Sequence, residues 1–302
     1  MVENNNIKTT EMKQTLRDEY FTRLKKIMKT SLNSKNSIDA INIFATSAIT
    51  YGFDVLDWSI TDLESIDRET RNILKKYHLL NNNSDVTRLY LPRRDGGRGL
   101  INITDQYKNH IVMYSCYLRN TEEQHLLLVS ASQAPLRSKS LHEKANKYSE
   151  EIDEDTDELA TKTKLQMKNQ LKKKRIGKKK QQLSNKAMHG QYLQLLDEPH
   201  IDKDLSTAWL RDSRLKRPTE AAICAIQEQA ITTNYVRKHI HKTTNDDTCR
   251  VCKSSKETIH HVVSGCSVLA PTKYVQRHDN LCKYVHMLLV QKYDLQTGDE
   301  KW

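Results

Sequence analysis

The chain has 302 residues, of which 37% are hydrophobic and 29% charged, with only eight glycines and five prolines; this length fills one or two cores, and this composition favours a mainly α protein over a sandwich or an α/β sheet. The opening MVENNNIKTTEMK carries no apolar run of the signal-peptide kind, and no window reaches the ~18 apolar residues of a membrane span, so an intracellular chain with no membrane partner is expected and the six cysteines point to metal or core roles rather than disulfides. The net charge of +11 is concentrated: residues 159–190 hold eleven Lys or Arg and no acid, directly after eight acids between Glu143 and Glu158.

In chain order, Leu16, Tyr20, Leu24 and Ile27 share one helical face. Ile38, Ile41, Ala45, Ala48 and Ile49 form a second stripe. Thr61 and Glu64 have capping-box spacing ahead of Leu63, Ile66, Thr70, Ile73 or Leu74, and Tyr77. A fourth helix starts near Thr104 and carries Tyr107, Ile111, Tyr114 and Leu118. Residues 1–120 therefore predict a helical domain, 121–190 a charged helical linker or arm, and 191–302 a second helical domain. In that last domain a long helix after Pro218 is expected to turn Ala222, Ile223, Ile226, Ala230, Val236 and Ile240 inward, and a final helix is expected around Tyr274 to Tyr293.

Two cationic segments stand out. RLYLPRRDGGRGL, Arg88 to Leu100, holds Arg88, Arg93, Arg94 and Arg98 among three glycines. Glycine allows close backbone approach and the guanidinium fork suits phosphate oxygens, so this is a nucleic-acid contact or simply a tight hairpin with Leu89, Leu91 and Leu100 buried. The arm from Lys172 to Lys180 adds Lys172, Lys173, Lys174, Arg175, Lys178, Lys179 and Lys180. It reads as a phosphate contact, a nuclear localisation signal, a solvated face or an internal partner for the acidic block.

CRVCKSSKETIHHVVSGC, Cys249 to Cys266, places two thiols at Cys-x2-Cys knuckle spacing before His260, His261 and Cys266. Zinc takes four such ligands in a tetrahedron. Neighbouring residues on a helix diverge by ~100°, so one histidine faces the metal, and spacing leaves open which. A chance cluster of small buried cysteines is the plain alternative. Cys116, Cys224 and Cys282 stand singly at helical positions and are expected in the core.

The segments INIFATSAITYGF, TDLESIDRETRNIL, SDVTRLYLPRRDGGRGL, YLRN, TEAAICAIQEQAITTNYVRKHI, CRVCKSSKETIHHVVSGC and YVQRHD, in this order, resemble the region after the palm of non-long-terminal-repeat retrotransposon polyproteins with a carboxyl-terminal restriction-like endonuclease. Ser47, where proline is expected, and LLNNNS depart from that pattern locally. The resemblance implies a reverse-transcriptase thumb, a helical linker and a zinc knuckle that grip retroelement RNA and target DNA. Its ETxxH register implies Cys249, Cys252, His261 and Cys266 as ligands of a structural Zn2+, with Arg250 and Arg277 joining the arginine loop and the arm at nucleic acid.

Polymerisation needs paired aspartates on a palm hairpin, whereas Asp246-Asp247 lies in the polar run TTNDDT. The expectation is therefore a nuclear, non-catalytic retroelement piece with no small-molecule substrate, the palm preceding residue 1 and the endonuclease following Trp302. A protein-interaction or inert remnant, or a stretch of an active polymerase, would carry the same residues.

Overall fold

The computed structural model describes residues 9–132 and 140–295; the amino-terminal run 1–8, residues 133–139 of the expected arm and the closing residues 296–302 lie outside the described residues. The chain divides into two compact units between Glu228 and Gln229. The described residues are mainly helical, with no strand and a single isolated antiparallel bridge between Thr248 and Lys256. None of their helices is long and apolar enough to cross a membrane.

The first unit begins with α1 (Thr9–Met28), α2 (Ser34–Ala40) and α3 (Thr46–Thr50), the last two joined by a π-helical turn over Ile41–Ala45. Asn33 caps α2 by accepting from the Asn36 N–H. The expected stripe Ile38, Ile41, Ala45, Ala48 and Ile49 is buried along its whole length. In α1 the buried face is Tyr20, Phe21, Leu24 and Met28. α4 (Ile60–Lys76) follows, and its cap is Ser59, which accepts from the Asp62 N–H, two residues before the expected Thr61. Leu63, Ile66, Thr70 and Leu74 face inward as their spacing predicts.

α5 (Val86–Tyr90) leads through a 3-10 turn at Arg93–Asp95 to α6 (Ile103–Arg119), capped by Asn102. α6 is the central helix, buried at Ile103, Tyr107, Ile111, Val112, Cys116 and Leu118. Asp67 of α4 accepts from the N–H groups of Ile103 and Thr104 at 3.1 and 3.2 Å, so the start of α6 is tied to α4. α7 (Gln124–Ser132), α8 (Leu141–Glu150), α9 (Thr156–Ala160) and α10 (Lys164–Ser184) complete the arm region.

That region is not an exposed linker. Ala145, Tyr148, Ile152, Leu159, Met167 and Leu171 belong to the same apolar core as Tyr20, Ile66 and Tyr107. The periodicity of α10 is weak because its four buried residues, Met167, Leu171, Arg175 and Leu183, include an arginine.

The second expected boundary, at residue 191, also moves. α11 (Gln191–Leu196), α12 (Lys203–Arg211) and α13 (Arg217–Gln227) fold with the first unit. Leu193 and Leu196 of α11 join Leu91 and Leu183 in a small second core. In α13 the buried face is Arg217, Glu220, Ala221, Cys224 and Ala225, with Glu228 just beyond it, whereas Ala222 and Ile226 are exposed. Apolar spacing chose the wrong face because two inward positions are glutamates.

The second unit holds α14 (Asn234–His239), the cysteine/histidine segment and α15 (Val275–Tyr293). The expected long helix is thus two helices, broken after Gln227, with Gln229 in the left-handed region at φ 55°. α15 buries none of its residues, and Cys282 on it is exposed rather than in a core; Cys116 and Cys224 are buried.

Candidate metal centre and the cationic segments

The knuckle is built by backbone pairing around one turn. Cys249 N–H donates to Ser255 at 2.7 Å and Glu257 N–H to Asp247 at 2.8 Å. Lys253, at φ 58°, turns the chain back and donates its N–H to Cys249 at 2.9 Å. Glu257 sits buried beneath the turn and accepts from the N–H groups of Arg250 and Asn234, at 2.8 and 3.3 Å. Burial alone would raise its pKa; the Arg250 guanidinium and these N–H groups outweigh that and hold it low.

The π-helical turn His261–Gly265 then carries the second pair of ligands back over the first. One ligand atom each from Cys249, Cys252, His261 and Cys266 lies within 4.8 Å of the other three, and the four can hold a metal ion. His261 Nε2 approaches Cys252 Sγ at 3.3 Å, while His260 is exposed. The Ser254 hydroxyl donates to Cys252 Sγ at 3.3 Å and, with nearby backbone N–H groups, brings that thiol down to about 6. Burial pushes the Cys249 thiol up. Four protein ligands leave no open coordination position, so such a centre holds the fold and has no place for a substrate.

Asp246 and Asp247 are spent on the same knuckle. Asp246 accepts from the Thr248 N–H at 2.9 Å. Asp247 accepts from His239 Nε2 at 3.0 Å and Lys238 Nζ at 3.1 Å, which holds its carboxyl at about 2.

The arginine loop closes on itself as the hairpin alternative predicts, without strands. Arg98, Gly99 and Leu100 donate their N–H groups to the carbonyls of Arg88, Leu91 and Leu89, at 3.1, 2.8 and 3.0 Å. Leu89, Leu91 and Leu100 are buried. Gly96 and Gly99 both lie at φ 80°, and a Cβ on Gly97 would sit 2.1 Å from the Leu91 carbonyl oxygen.

Three of its four arginines are core residues, which corrects the expectation that they meet phosphate. Arg88 is 1% exposed and donates to Gly96, Cys224, Gln227 and Glu228, with its guanidinium 4.5 Å from the Tyr192 ring centre. Arg93 and Arg98 share Glu220, which is fully buried, at 2.9 and 2.5 Å. Arg94 alone stands exposed.

In the arm, Arg175 is likewise buried, donating to Asn109 at 2.5 Å and the Tyr148 carbonyl at 3.0 Å. Lys174 pairs with Glu154, Lys178 with Asp153, Lys179 with Asp105 and Lys180 with Asp197, each within 3.1 Å. The basic arm is thus largely an internal partner of acids, two of these four, Asp153 and Glu154, lying in the preceding block. Lys172 and Lys173 are exposed, with no acidic partner among the described residues. In the second unit Arg250 lies along Glu257 at 2.5 Å, and Arg277 covers the Tyr274 ring at 5.1 Å.

Sequence reasoning missed the acceptors Glu220, Glu228 and Asp105, and also Arg217. The Arg217 guanidinium donates to the carbonyls of Met28 and Thr30 at 2.7 and 2.9 Å, closing the end of α1. The one available signal was that Glu220 and Glu228 fall eight apart on either side of the apolar run AAICAI, in line with Cys224. Set against known protein families and curated proteins, the sequence matches none of them.

Proposed function

We propose that the chain is a zinc-bound helical module that grips RNA or DNA and catalyses nothing itself, of the kind that follows the palm in non-long-terminal-repeat retrotransposon polyproteins. The observation that carries this reading is the convergence of Cys249, Cys252, His261 and Cys266. Three thiols and an imidazole suit zinc over harder cations. A tetrahedral zinc sets sulfur and nitrogen ligands about 3.6 Å apart, close to the 3.3 Å between Cys252 and His261. The commitment of Asp246 and Asp247 to knuckle hydrogen bonds supports a role other than binding catalytic metals. Retroelement RNA and target DNA are the partners, and the nucleus is the site of action.

Arg94, Lys172, Lys173 and Arg277 remain from the expected contact set as cations without a carboxylate partner among the described residues. The internal pairing of the other arm residues favours a second reading, a protein-interaction or inert remnant. Purified chain is tested for bound zinc and for binding to a structured RNA and a nicked DNA, with and without chelator. About one zinc per chain and micromolar or tighter affinity are expected. With about four phosphates neutralised, affinity falls about 10²-fold between ~50 and ~200 mM salt. A zinc-loaded chain that binds neither nucleic acid at the lower salt leaves the second reading standing.

A further inference from the structure

Along α6, His110, Met113, Tyr114 and Tyr117 recur at the i, i+3, i+4, i+7 spacing that sets four side chains on one helical face. Ile103, Tyr107, Ile111 and Leu118 of the same helix are buried in the core, but this second stripe borders a groove of about 430 Å³. Met167 and Lys164 of α10 line it too, as does Lys162. Tyr117 is 54% exposed there. The groove's own acid, Asp54, is bonded to His110, and Lys162 is held by Glu158 at 2.7 Å.

Lys164 has no acidic partner among the described residues, and neither have Lys168 and Lys172, which follow at i+4 and i+8 along α10. The three make one row about 12 Å long that starts in the groove. Most of the nearby acids are already engaged, Glu150 and Asp155 being the two of their cluster with no cation partner among the described residues. Glu151, Asp153, Glu154 and Asp157 are paired with Arg175, Lys178, Lys174 and Arg119, as Glu158 is with Lys162.

We propose that this groove takes the bases of a single-stranded nucleic acid against Tyr114 and Tyr117, with its phosphates along Lys164, Lys168 and Lys172. Aromatic faces beside a cationic track are the two parts that sequence-tolerant single-strand binding uses. A duplex keeps its base faces stacked inside and has nothing to put in the groove. A docked apolar helix would fill the groove but gain nothing from the lysine row. The inference rests on the nucleic-acid reading above, and it assigns a surface in the first unit that needs no metal.

The test uses the full zinc-loaded chain and a fluorescent oligo-dT of about ten nucleotides, within the usual range of single-strand sites. Tyr117→Ala is expected to weaken binding about tenfold, and Tyr117→Phe to bind as the native chain does. Lys164→Gln, Lys168→Gln and Lys172→Gln together should lower the log–log salt slope by about two. Tyr117 is exposed, and circular dichroism checks that each variant is folded. Chelator is expected to leave oligo-dT binding in place while it weakens structured-RNA binding by the part that Arg277 in the second unit supplies.

Variants that bind oligo-dT with native affinity and native salt slope overturn the groove, even where chelator-sensitive RNA binding survives. A chain that binds no nucleic acid overturns both proposals. An amphipathic peptide that shields Tyr117 from labelling where oligo-dT does not would make the groove a protein-docking site and overturn the assignment.

Discussion

Glu220 has no exposure to solvent and two guanidiniums within 2.9 Å, so its charge is held chiefly by Arg93 and Arg98, with a hydrogen bond from Ser34 besides. Removing one partner of such a buried set leaves the other charges uncompensated, at a cost of about 3–5 kcal/mol. Glu220→Gln is therefore expected to destabilise the first unit by that amount in urea titrations near neutral pH. Burial alone would raise the carboxyl pKa, but Arg98 and Arg93 outweigh it and the folded value lies below the ordinary one. The native advantage is then fully present above about pH 4.3, the ordinary glutamate value, and is lost as pH falls below it. Native and variant stabilities should converge in acid; a gap that stays constant down to the acid transition would argue against the pairing.

The same scale decides the histidine. His261→Ala should abolish stoichiometric zinc in a metal assay, and His260→Ala should keep it, because only His261 joins the cysteine thiols. The ligand types and their spacing were legible in the sequence because a knuckle is local, contained within eighteen residues. The arginines were not legible. A sequence shows a guanidinium's charge but not its acceptor, and Glu220 lies more than 120 residues beyond Arg93 and Arg98.

α10 is the element in which charge was most misleading. Its lysines look like a phosphate-binding face, yet Lys174, Lys178, Lys179 and Lys180 each meet a carboxylate and Arg175 is buried. The acidic block and the basic block are two sides of one packed corner, an alternative that the sequence raised and could not choose. Regular apolar stripes were easier to read, as in α4 and α6, because burial by neighbouring helices repeats at the helical period. α13 failed that test, since its inward positions carry Glu220 next to Ala221 and Cys224. Gly177 lies in the middle of α10 with open space around its Cα, so a methyl group there meets nothing within 4 Å. Gly177→Ala should raise the first unit's stability by about 0.5–1 kcal/mol, because glycine loses more backbone entropy in a helix than alanine. A thermal or urea midpoint that moves down would show that α10 is not helical at this point.

At the scale of the whole chain, the two units rest on different sources of stability. The first has a continuous apolar core running from Tyr20 to Leu171, together with the buried ion pairs of Glu220 and Glu228. In the second, the buried apolar side chains are Ala230, Val236, Cys249 and Cys266 among the described residues, and two of these belong to the candidate metal centre. Structural zinc contributes ~10–16 kcal/mol in small knuckles, and without it three thiols and an imidazole would be left crowded together with nothing to bind. Removing the metal should therefore unfold the second unit and leave the first intact. Hydrogen exchange on the full chain reads this directly. Chelator should strip amide protection from peptides spanning residues 230–274, while α4 and α6 keep theirs, and added zinc should restore it. Protection that survives chelation in the knuckle would mean that Glu257, with Arg250 and the N–H of Asn234, holds the turn without metal, and the zinc assignment would lose its physical basis.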